Sequence, residues 1–309
     1  MRSKTEAWMK ITFFFCGILT IAIVFGIAFF MISSGLPAIR EIGLREFLFG
    51  QVWRSTGENP QFGIFAFILT SVYGTLGAAL IGIPVGLFTA IFLSKIAPPK
   101  LAGTISTAVE LLAGIPSVVY GFVGMIVLVP FVMNTVPRMV NFFRAMINIL
   151  FGQNLPLDFQ LRSGATLLSA IIVLSIMILP SIINVSRTAL NAVPKEFEEA
   201  SLALGATKME TIFKVSVPAA KSGIAAGAVL GVGRAIGEAM AVMLVAGNVS
   251  NMPGLFRPVT FLTTAIAREL SYASGLQRDA LFSIGLVLFV FVFIINLTLN
   301  LALKRGYRK

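Results

Sequence analysis

The sequence contains no histidine and a single cysteine among its 309 residues. Without histidine, the chain lacks the commonest general base and the commonest metal ligand of proteins. The lone Cys16 excludes an intrachain disulfide and a cysteine-based metal site. Charged residues are also scarce, at 12% of the chain against about 25% in soluble domains. These absences argue against a soluble globular enzyme.

The chain is instead rich in long apolar stretches between charges. Hydrophobic residues make up 57% of it, and the mean hydropathy is +0.93. About 20 apolar residues cross a bilayer as a helix, and six stretches reach that length. We therefore predict an all-α polytopic membrane protein with about six transmembrane helices. The predicted spans are 11–32, 64–93, 111–133, 164–186, 222–247 and 280–303.

The first stretch is interpreted as a retained span rather than a signal peptide, because its apolar core is 22 residues long and no A-x-A site follows it. Three parts of the chain are predicted. Residues 1–63 hold the N-terminal tail, the first span and an outer loop, 64–303 form the transmembrane domain, and 304–309 form a basic cytoplasmic tail. The outer segments 37–49 and 138–150 fit either short interfacial helices or ordinary structured loops.

The distribution of basic residues indicates the orientation of the spans. Six spans place both termini on the same side of the membrane. If that side is the cytoplasm, 14 lysines and arginines lie inside and nine lie in outer loops, with Arg234 inside a span. This excess favours cytoplasmic termini. It also accounts for the net charge of +11 without a nucleic-acid partner.

The segment 187–221, between the fourth and fifth spans, is amphipathic. Pro194 suits a helix start, and glutamates follow in the first turns, where the helix dipole favours them. Gly205 ends this helix, and a second short helix fits 207–215 before Pro218. We predict two short cytoplasmic helices joined by a glycine elbow. They either link two spans or dock a cytoplasmic partner.

Two opposite charges lie inside the fifth predicted span. Arg234 lies about midway along 222–247, so a continuous helix would place it near the bilayer midplane, where a charge costs roughly 2.5–3.5 kcal/mol. Glu238 follows four residues later on the same helix face and could pair with it. The two form either a structural ion pair or a substrate site. In the second case, the Arg234 guanidinium would bind an oxyanion through two parallel hydrogen bonds, and Glu238 would compete for it.

Glycines recur at intervals of four around this pair, a pattern that permits close contact between helices. They do not form a nucleotide site, since 231–237 has the wrong spacing for a dinucleotide fingerprint and no strand precedes it. No P-loop motif occurs in the sequence, so this chain is not expected to bind ATP. The glycines are Gly223, Gly227, Gly231, Gly233 and Gly237.

The 187–221 segment resembles the EAA loop of ABC-transporter permeases. That pattern is E-A-A, three residues, G, nine residues and I-x-L-P. Here Glu199, Ala200 and Ser201 are followed at the same spacing by Gly205 and by V-S-V-P at 215–218. Ser201 replaces the second alanine of the pattern.

Two further motifs narrow the resemblance to phosphate-specific ABC permeases. Residues 111–121 are similar to their third-span motif. Residues 231–242 and 245–248 are similar to the C-type subunit (PstC), with Ala239 where threonine is usual. The resemblance extends from about residue 63 to the end of the sequence.

This resemblance implies the type I (MetI-like) permease fold of ABC importers, in a prokaryotic plasma membrane. The chain would pair with an A-type permease subunit, two cytoplasmic ATPase subunits would dock on the EAA loops, and an extracytoplasmic binding protein would deliver inorganic phosphate. ATP-Mg would bind to the ATPase subunits, so this chain would carry no cofactor and would not be an enzyme. The implied pathway residues are Arg234 and Glu238, and the implied ATPase-coupling residues are Glu199, Ala200, Ser201 and Gly205.

Three alternatives stay open. The same architecture could import another oxyanion, such as sulfate or molybdate, because Arg234 suits any of them. An ion-coupled secondary transporter would commonly have inverted repeats, and the sequence contains no clear repeat and no proton-relay histidine. A membrane-embedded enzyme would need a nucleophile and base at one depth, and Glu238 is the only carboxylate within the predicted spans.

Overall fold

The protein was analysed as a computed structural model, which describes the backbone of residues 2–152 and 156–305. This part of the chain is mainly helical, so the predicted all-α class is confirmed. Its one sheet is an antiparallel ribbon of β1 (Trp53–Arg54) and β2 (Gln61–Phe62). The predicted basic tail, 304–309, lies largely outside the described residues.

The helices follow the predicted apolar stretches, with short helices between them. Three π-helical turns extend α3, join α5 to α6 and join α9 to α10: Phe92–Ile96, Gly124–Leu128 and Ile212–Ser216. The α-helices are α1 (Arg2–Ile42), α2 (Leu44–Phe49), α3 (Phe65–Ile91), α4 (Pro99–Gly114), α5 (Ser117–Val123), α6 (Val129–Phe151), α7 (Leu167–Asn191), α8 (Lys195–Ala203), α9 (Lys208–Thr211), α10 (Val217–Ala219), α11 (Lys221–Gly237), α12 (Met240–Val245), α13 (Leu262–Glu269) and α14 (Gly275–Arg305).

Within the described chain, five helical stretches are long and apolar enough to cross a membrane. Two further helical stretches, Lys208–Ala219 and Lys221–Gly237, meet at a bend of 70°. If they are counted together as one span, the total rises to six. The predicted first, second, fourth and sixth spans are confirmed. The five unbroken stretches are Trp8–Ile42, Phe65–Ile96, Ser117–Phe151, Leu167–Asn191 and Gly275–Thr298.

The third span begins later than predicted. α4 ends at Gly114, Ile115 and Pro116 adopt extended backbone, and the spanning helix begins at Ser117. Proline lacks an N–H to continue a helix and disfavours helical backbone at the residue before it. The predicted boundary at residue 111 is therefore wrong, because Pro116 separates α4 from the span.

The structure only partly matches the predictions of interfacial helices or structured loops for the outer segments 37–49 and 138–150. Residues 138–150 lie inside α6, so they continue the third span rather than forming a separate helix or a loop. Residues 37–42 likewise continue α1, and the predicted short interfacial helix corresponds only to α2. Gly43, with φ of +90°, separates α1 from α2.

The 187–221 segment defines one end of the helical bundle, which we call the inner end. The opposite end, which contains the β1–β2 ribbon, is called the outer end, following the predicted topology. α7 runs between the two ends and is the central helix. In its most apolar window 61% of the residues are buried, whereas none is buried in that of α1. α1 therefore has the exposed apolar surface expected of a lipid-facing helix.

The neighbours of α7 approach it closely at glycines. A Cβ built at Gly82 of α3 would lie 2.5 Å from Cδ1 of Ile178 on α7. On α11, a Cβ at Gly223 would lie 2.3 Å from Cβ of Ala189, and Gly227 and Gly231 face the same helix. The predicted close packing at these three glycines of α11 is confirmed.

The remaining two glycines of the pattern behave differently. A Cβ added at Gly233 or Gly237 would have no heavy atom within 4 Å, apart from its chain neighbours and the adjacent backbone of α11. This face of α11 is therefore open within the described part of the chain, although the sequence pattern is the same.

A matched pair of substitutions tests the packing. Gly223→Val places a branched side chain against Ala189, which cannot rotate away, so we expect a loss of roughly 1–3 kcal/mol in the free energy of unfolding. Gly233→Val makes the same substitution in the same helix but enters open space. Thermal unfolding of the detergent-purified chain should give a clearly lower midpoint for Gly223→Val. Equal midpoints for the two variants would contradict the close packing of α11 on α7.

Candidate functional site

The fifth span breaks where the sequence analysis predicts a continuous helix. α11 ends at Gly237, Glu238 adopts extended backbone (φ −73°, ψ 126°), and α12 begins at Met240. The Glu238 carboxylate accepts a hydrogen bond from the backbone N–H of Ala241 at 3.0 Å. It thereby satisfies one of the free N–H groups in the first turn of α12. The prediction of one helix over 222–247 is wrong, because α11 stops at Gly237 and the Glu238 carboxylate caps the start of a second helix, α12.

Arg234 lies three residues before this break, and its side chain is partly exposed. It is about 20 Å along α11 from Lys221 at 1.5 Å per residue. None of the ion pairs found among the described residues includes Arg234. The predicted pair with Glu238 is therefore not formed, because the backbone leaves the helix at Glu238 and the i, i+4 geometry is lost. Tyr120 of α5 lies within electrostatic range of the guanidinium.

The break gives this region the properties of a polar ligand site. Non-helical backbone at membrane depth is tolerated where it is buried in protein or lines a water-filled cavity. Next to it are Arg234, which forms no ion pair with any residue that the structure describes, and the open glycine face at Gly233 and Gly237. A guanidinium in this state can bind an oxyanion through two parallel hydrogen bonds. Among the described residues, no cluster of acidic or cysteine side chains could hold a metal ion.

At the inner end, the 187–221 segment forms the predicted pair of short helices. Pro194 precedes α8, and Gly205 adopts φ of +85°, a left-handed conformation that glycine reaches without strain. Thr207 then caps α9 in a capping box with Glu210. The backbone N–H and hydroxyl of Thr207, with Nζ of Lys214, lower the pKa of Glu210 to about 2.

The four sequence-predicted coupling residues lie together on α8 and its elbow. Glu199, Ala200 and Gly205 are exposed. The hydroxyls of Ser201 and Thr211 are hydrogen-bonded at 2.9 Å, which holds α8 against the last residue of α9. Ser201 is thus a structural link in place of the alanine usual in this motif.

Large apolar side chains of the same segment are exposed, and Leu204 is 90% exposed. An apolar patch of this kind, rimmed by glutamates and lysines, is typical of a protein interaction site. The side chains are Phe197, Leu202, Leu204, Met209 and Phe213.

A polar cluster that the sequence analysis did not identify joins α8 to the end of α3. Nζ of Lys95 lies 2.5 Å from Oε1 of Glu198, and the Ser216 hydroxyl donates to the same oxygen at 2.9 Å. Burial alone would raise the pKa of Glu198, but the hydrogen bonds from Lys95 and Ser216 and the charge of Lys95 outweigh it and lower the pKa. In the sequence, Lys95 contributes only to the count of basic residues that indicates the orientation of the spans. No local pattern connects it to position 198.

A second missed cluster lies at the outer end around Glu269, the buried last residue of α13. Its carboxylate accepts hydrogen bonds from Trp53 (3.2 Å), Ser55 (3.1 Å), Gln277 (3.2 Å) and Arg268 (2.8 Å). Burial alone would raise the pKa of Glu269, but these four donors outweigh it and lower the pKa. One carboxylate thus joins the β1–β2 ribbon, α13 and α14.

Arg268 extends this cluster toward the chain that follows α12. Its Nη1 donates to the backbone carbonyl of Asn248 at 2.6 Å. Asn248 is the only non-glycine residue with positive φ in the described chain, at 52°. The outer ribbon is therefore connected through two side chains to the segment after the broken span.

The outer end also contains a basic cavity of about 660 Å³, formed by residues 159–163 and 251–258. Arg162 and Arg257 line it, both exposed. The second loop is fixed to the start of α7, because the backbone N–H of Leu167 donates to the Arg257 carbonyl at 3.0 Å. The cavity therefore has a rigid wall and a positive rim.

The Glu269 cluster gives a pH-dependent prediction. Because the folded pKa of Glu269 is below its ordinary value of 4.5, the cluster stabilises the protein fully above that pH. This contribution is lost as the pH falls through the folded pKa. Glu269→Gln removes the titrating group, so we expect a lower thermal midpoint than wild type at neutral pH and a shallower decline as the pH falls below 4.5. Equal declines for the two proteins would contradict this role of Glu269.

Comparison with known proteins identifies the family. Residues 82–309 match the family described as "Binding-protein-dependent transport system inner membrane component". The chain belongs to this family, and it is a multi-pass membrane protein that serves as a permease subunit of a binding-protein-dependent ABC importer.

Individual relatives agree with this family over most of the chain. The "Probable ABC transporter permease protein YqgH" of Bacillus subtilis is 37% identical over 92% of this chain and 86% of that protein. The "Phosphate transport system permease protein PstC" of Pasteurella multocida is 36% identical over 85% of this chain and 81% of that protein. PstC of Mesorhizobium japonicum is 36% identical, covering 94% and 88% respectively.

Solved structures share the fold. A chain of the inward-facing MetNI methionine ABC transporter superposes with a TM-score of 0.57 at 20% identity, covering 78% of this chain and 95% of that chain. A chain of the bacterial alginate ABC transporter, solved with its alginate-bound periplasmic protein, gives 0.58 at 18% identity, covering 95% and 93%. The predicted MetI-like permease fold is therefore confirmed.

Proposed function

We propose that this chain is the C-type permease subunit of an ATP-driven importer of inorganic phosphate. It pairs with an A-type permease subunit, and the two together enclose the translocation pathway. Two cytoplasmic ATPase subunits bind and hydrolyse ATP-Mg, so this chain carries no cofactor and performs no ATP chemistry. Both of its termini lie in the cytoplasm.

Similarity to PstC proteins carries the phosphate assignment. Relatives named PstC are 36% identical over 85% and 94% of this chain. The site is compatible with that cargo, since an arginine fork matches phosphate oxygens and stays charged at any physiological pH.

In this proposal, Arg234 is the pathway residue that contacts phosphate. Support comes from its partly exposed side chain, from the lack of an ion-pair partner among the described residues, and from the open face at Gly233 and Gly237. Glu238 contributes by holding the start of α12 through Ala241, which keeps the helix break in shape. Its negative charge also keeps phosphate binding near Arg234 weak enough for release.

The α8 helix and its elbow are the proposed ATPase contact. Exposed apolar side chains such as Phe197 and Leu204 would enter an ATPase cleft, with Glu199 and Ala200 on the same exposed helix. Gly205 allows the sharp turn between the two short helices. Movement of the ATPase subunits would then displace α8 relative to the spans.

The basic outer cavity is the proposed contact for the extracytoplasmic phosphate-binding protein. Arg162 and Arg257 at its rim would attract acidic groups on that protein. Their charges act over about one Debye length at physiological salt, which suits a partner that docks and leaves in each cycle.

Phosphate uptake in cells lacking this chain tests the proposal. Arg234→Gln should reduce labelled phosphate uptake about tenfold or more relative to wild type, because a hydrogen bond to a charged group is worth roughly 1.5–3 kcal/mol. Arg234→Lys should retain part of the uptake, since it keeps the charge but loses the fork. Membrane abundance of each variant is measured in parallel.

Arg45→Gln, an exposed arginine at the outer end, is the matched control and should leave uptake unchanged. Excess sulfate should not reduce wild-type uptake. Full phosphate uptake by Arg234→Gln at equal membrane abundance would show that Arg234 is not a pathway residue. Inhibition of wild-type uptake by sulfate would instead favour an importer of another oxyanion.

A further inference from the structure

The α8 helix has no hydrophobic anchor of its own. None of its residues is buried. The segment after α9 differs, since Ile212 is buried with Ile91 of α3 and Leu190 of α7 in one apolar cluster at the inner end. The position of α8 therefore depends on polar contacts, whereas the second half of the 187–221 segment is packed into the bundle.

Two side chains of α8 supply those contacts in the described chain. Ser201 bonds to Thr211 within the same segment. Glu198 reaches a membrane helix, because Lys95 lies in the π-helical turn that ends α3. The pair is shielded from water, with 12% of the Lys95 side chain and 25% of the Glu198 side chain exposed. Water screens such a pair far less than a surface ion pair.

The contact between Lys95 and Glu198 is also connected to the central helix, α7. Ser94, next to Lys95, donates a hydrogen bond to Oδ1 of Asn191, the last residue of α7, at 2.5 Å. A displacement of α8 would thus pull on the end of α3 and reach α7 through one further hydrogen bond. Glu199, the carboxylate of the EAA motif, is exposed and makes no such contact in the described structure.

We infer that Glu198 and Lys95, with Ser216, form the joint that transmits movement of α8 to α3. This inference rests on the proposed ATPase coupling and adds positioning residues to it. Glu198 acts through Lys95 rather than by touching phosphate or ATP. A joint of this kind needs an attraction strong enough to move α3 with α8, which a partly buried ion pair with a second donor provides.

The test uses the assembled transporter in proteoliposomes, with ATP hydrolysis and phosphate uptake measured in the same vesicles. Glu198→Gln and Lys95→Met should leave the complex assembled and hydrolysing ATP, while phosphate taken up per ATP falls roughly fivefold or more. The charge-swapped double variant, Glu198→Lys with Lys95→Glu, should recover most of that ratio. A merely structural contact would alter assembly or total activity without changing the ratio.

Lys214→Met is the matched control. It breaks an ion pair with Glu210 at 3.2 Å that lies within the same segment, is well exposed and does not reach a membrane helix. It should leave the uptake-to-hydrolysis ratio unchanged.

Several results would overturn the joint. One is an unchanged ratio of phosphate uptake to ATP hydrolysis in both single variants. Another is a charge-swapped double variant that is as uncoupled as the single variants. A third is failure of the single variants to assemble, which would make the pair a folding contact. Failure of the proposed function appears elsewhere, as a wild-type complex that takes up no phosphate. In that case, the increase of ATP hydrolysis caused by the binding protein is compared between wild type and the variants. A smaller increase in both single variants would support the joint, and an equal increase would overturn it.

Discussion

The close approach of α3 and α11 to α7 at glycines is the constraint on which the rest of the structure depends. In a bilayer, helices gain little from hiding apolar surface, so they associate through close packing of small residues. Gly82 and Gly223 remove the side chains that would otherwise separate the three helices. With this rigid trio in place, the break at Glu238, the inner segment and the outer cavity keep defined positions relative to one another.

At each end of the bundle, a carboxylate accepts hydrogen bonds from distant parts of the chain. At the inner end, Glu198 joins α8 to Lys95; at the outer end, Glu269 joins the β1–β2 ribbon to α13 and α14. Between them lies Arg234, whose charge has no ion-pair partner among the described residues. Both carboxylates are thus paired with cationic side chains, whereas Arg234 forms no ion pair with the part of the chain that the structure describes.

Most of the architecture follows from local signals in the sequence. Apolar length predicts the spans of α3, α7 and α14, and the proline and glycine positions predict α8, its elbow and α9 correctly. Two errors occur where local chemistry interrupts an apolar stretch, at Pro116 and at Glu238, because hydropathy reports neither a proline break nor a capping side chain. Two others occur at 37–42 and 138–150, where helices continue beyond the apolar stretch. The Lys95–Glu198 and Glu269 clusters could not be predicted, since their members are far apart in the sequence and meet only after the helices pack.

ATP-driven uptake in proteoliposomes tests the central claim most directly. The assembled complex of this chain, an A-type subunit and ATPase subunits is supplied with phosphate-loaded binding protein outside and ATP-Mg on the ATPase side. The account predicts phosphate accumulation that requires ATP and the binding protein and that persists when an uncoupler removes ion gradients. Accumulation that continues without ATP but stops with the uncoupler would contradict it and identify an ion-coupled transporter.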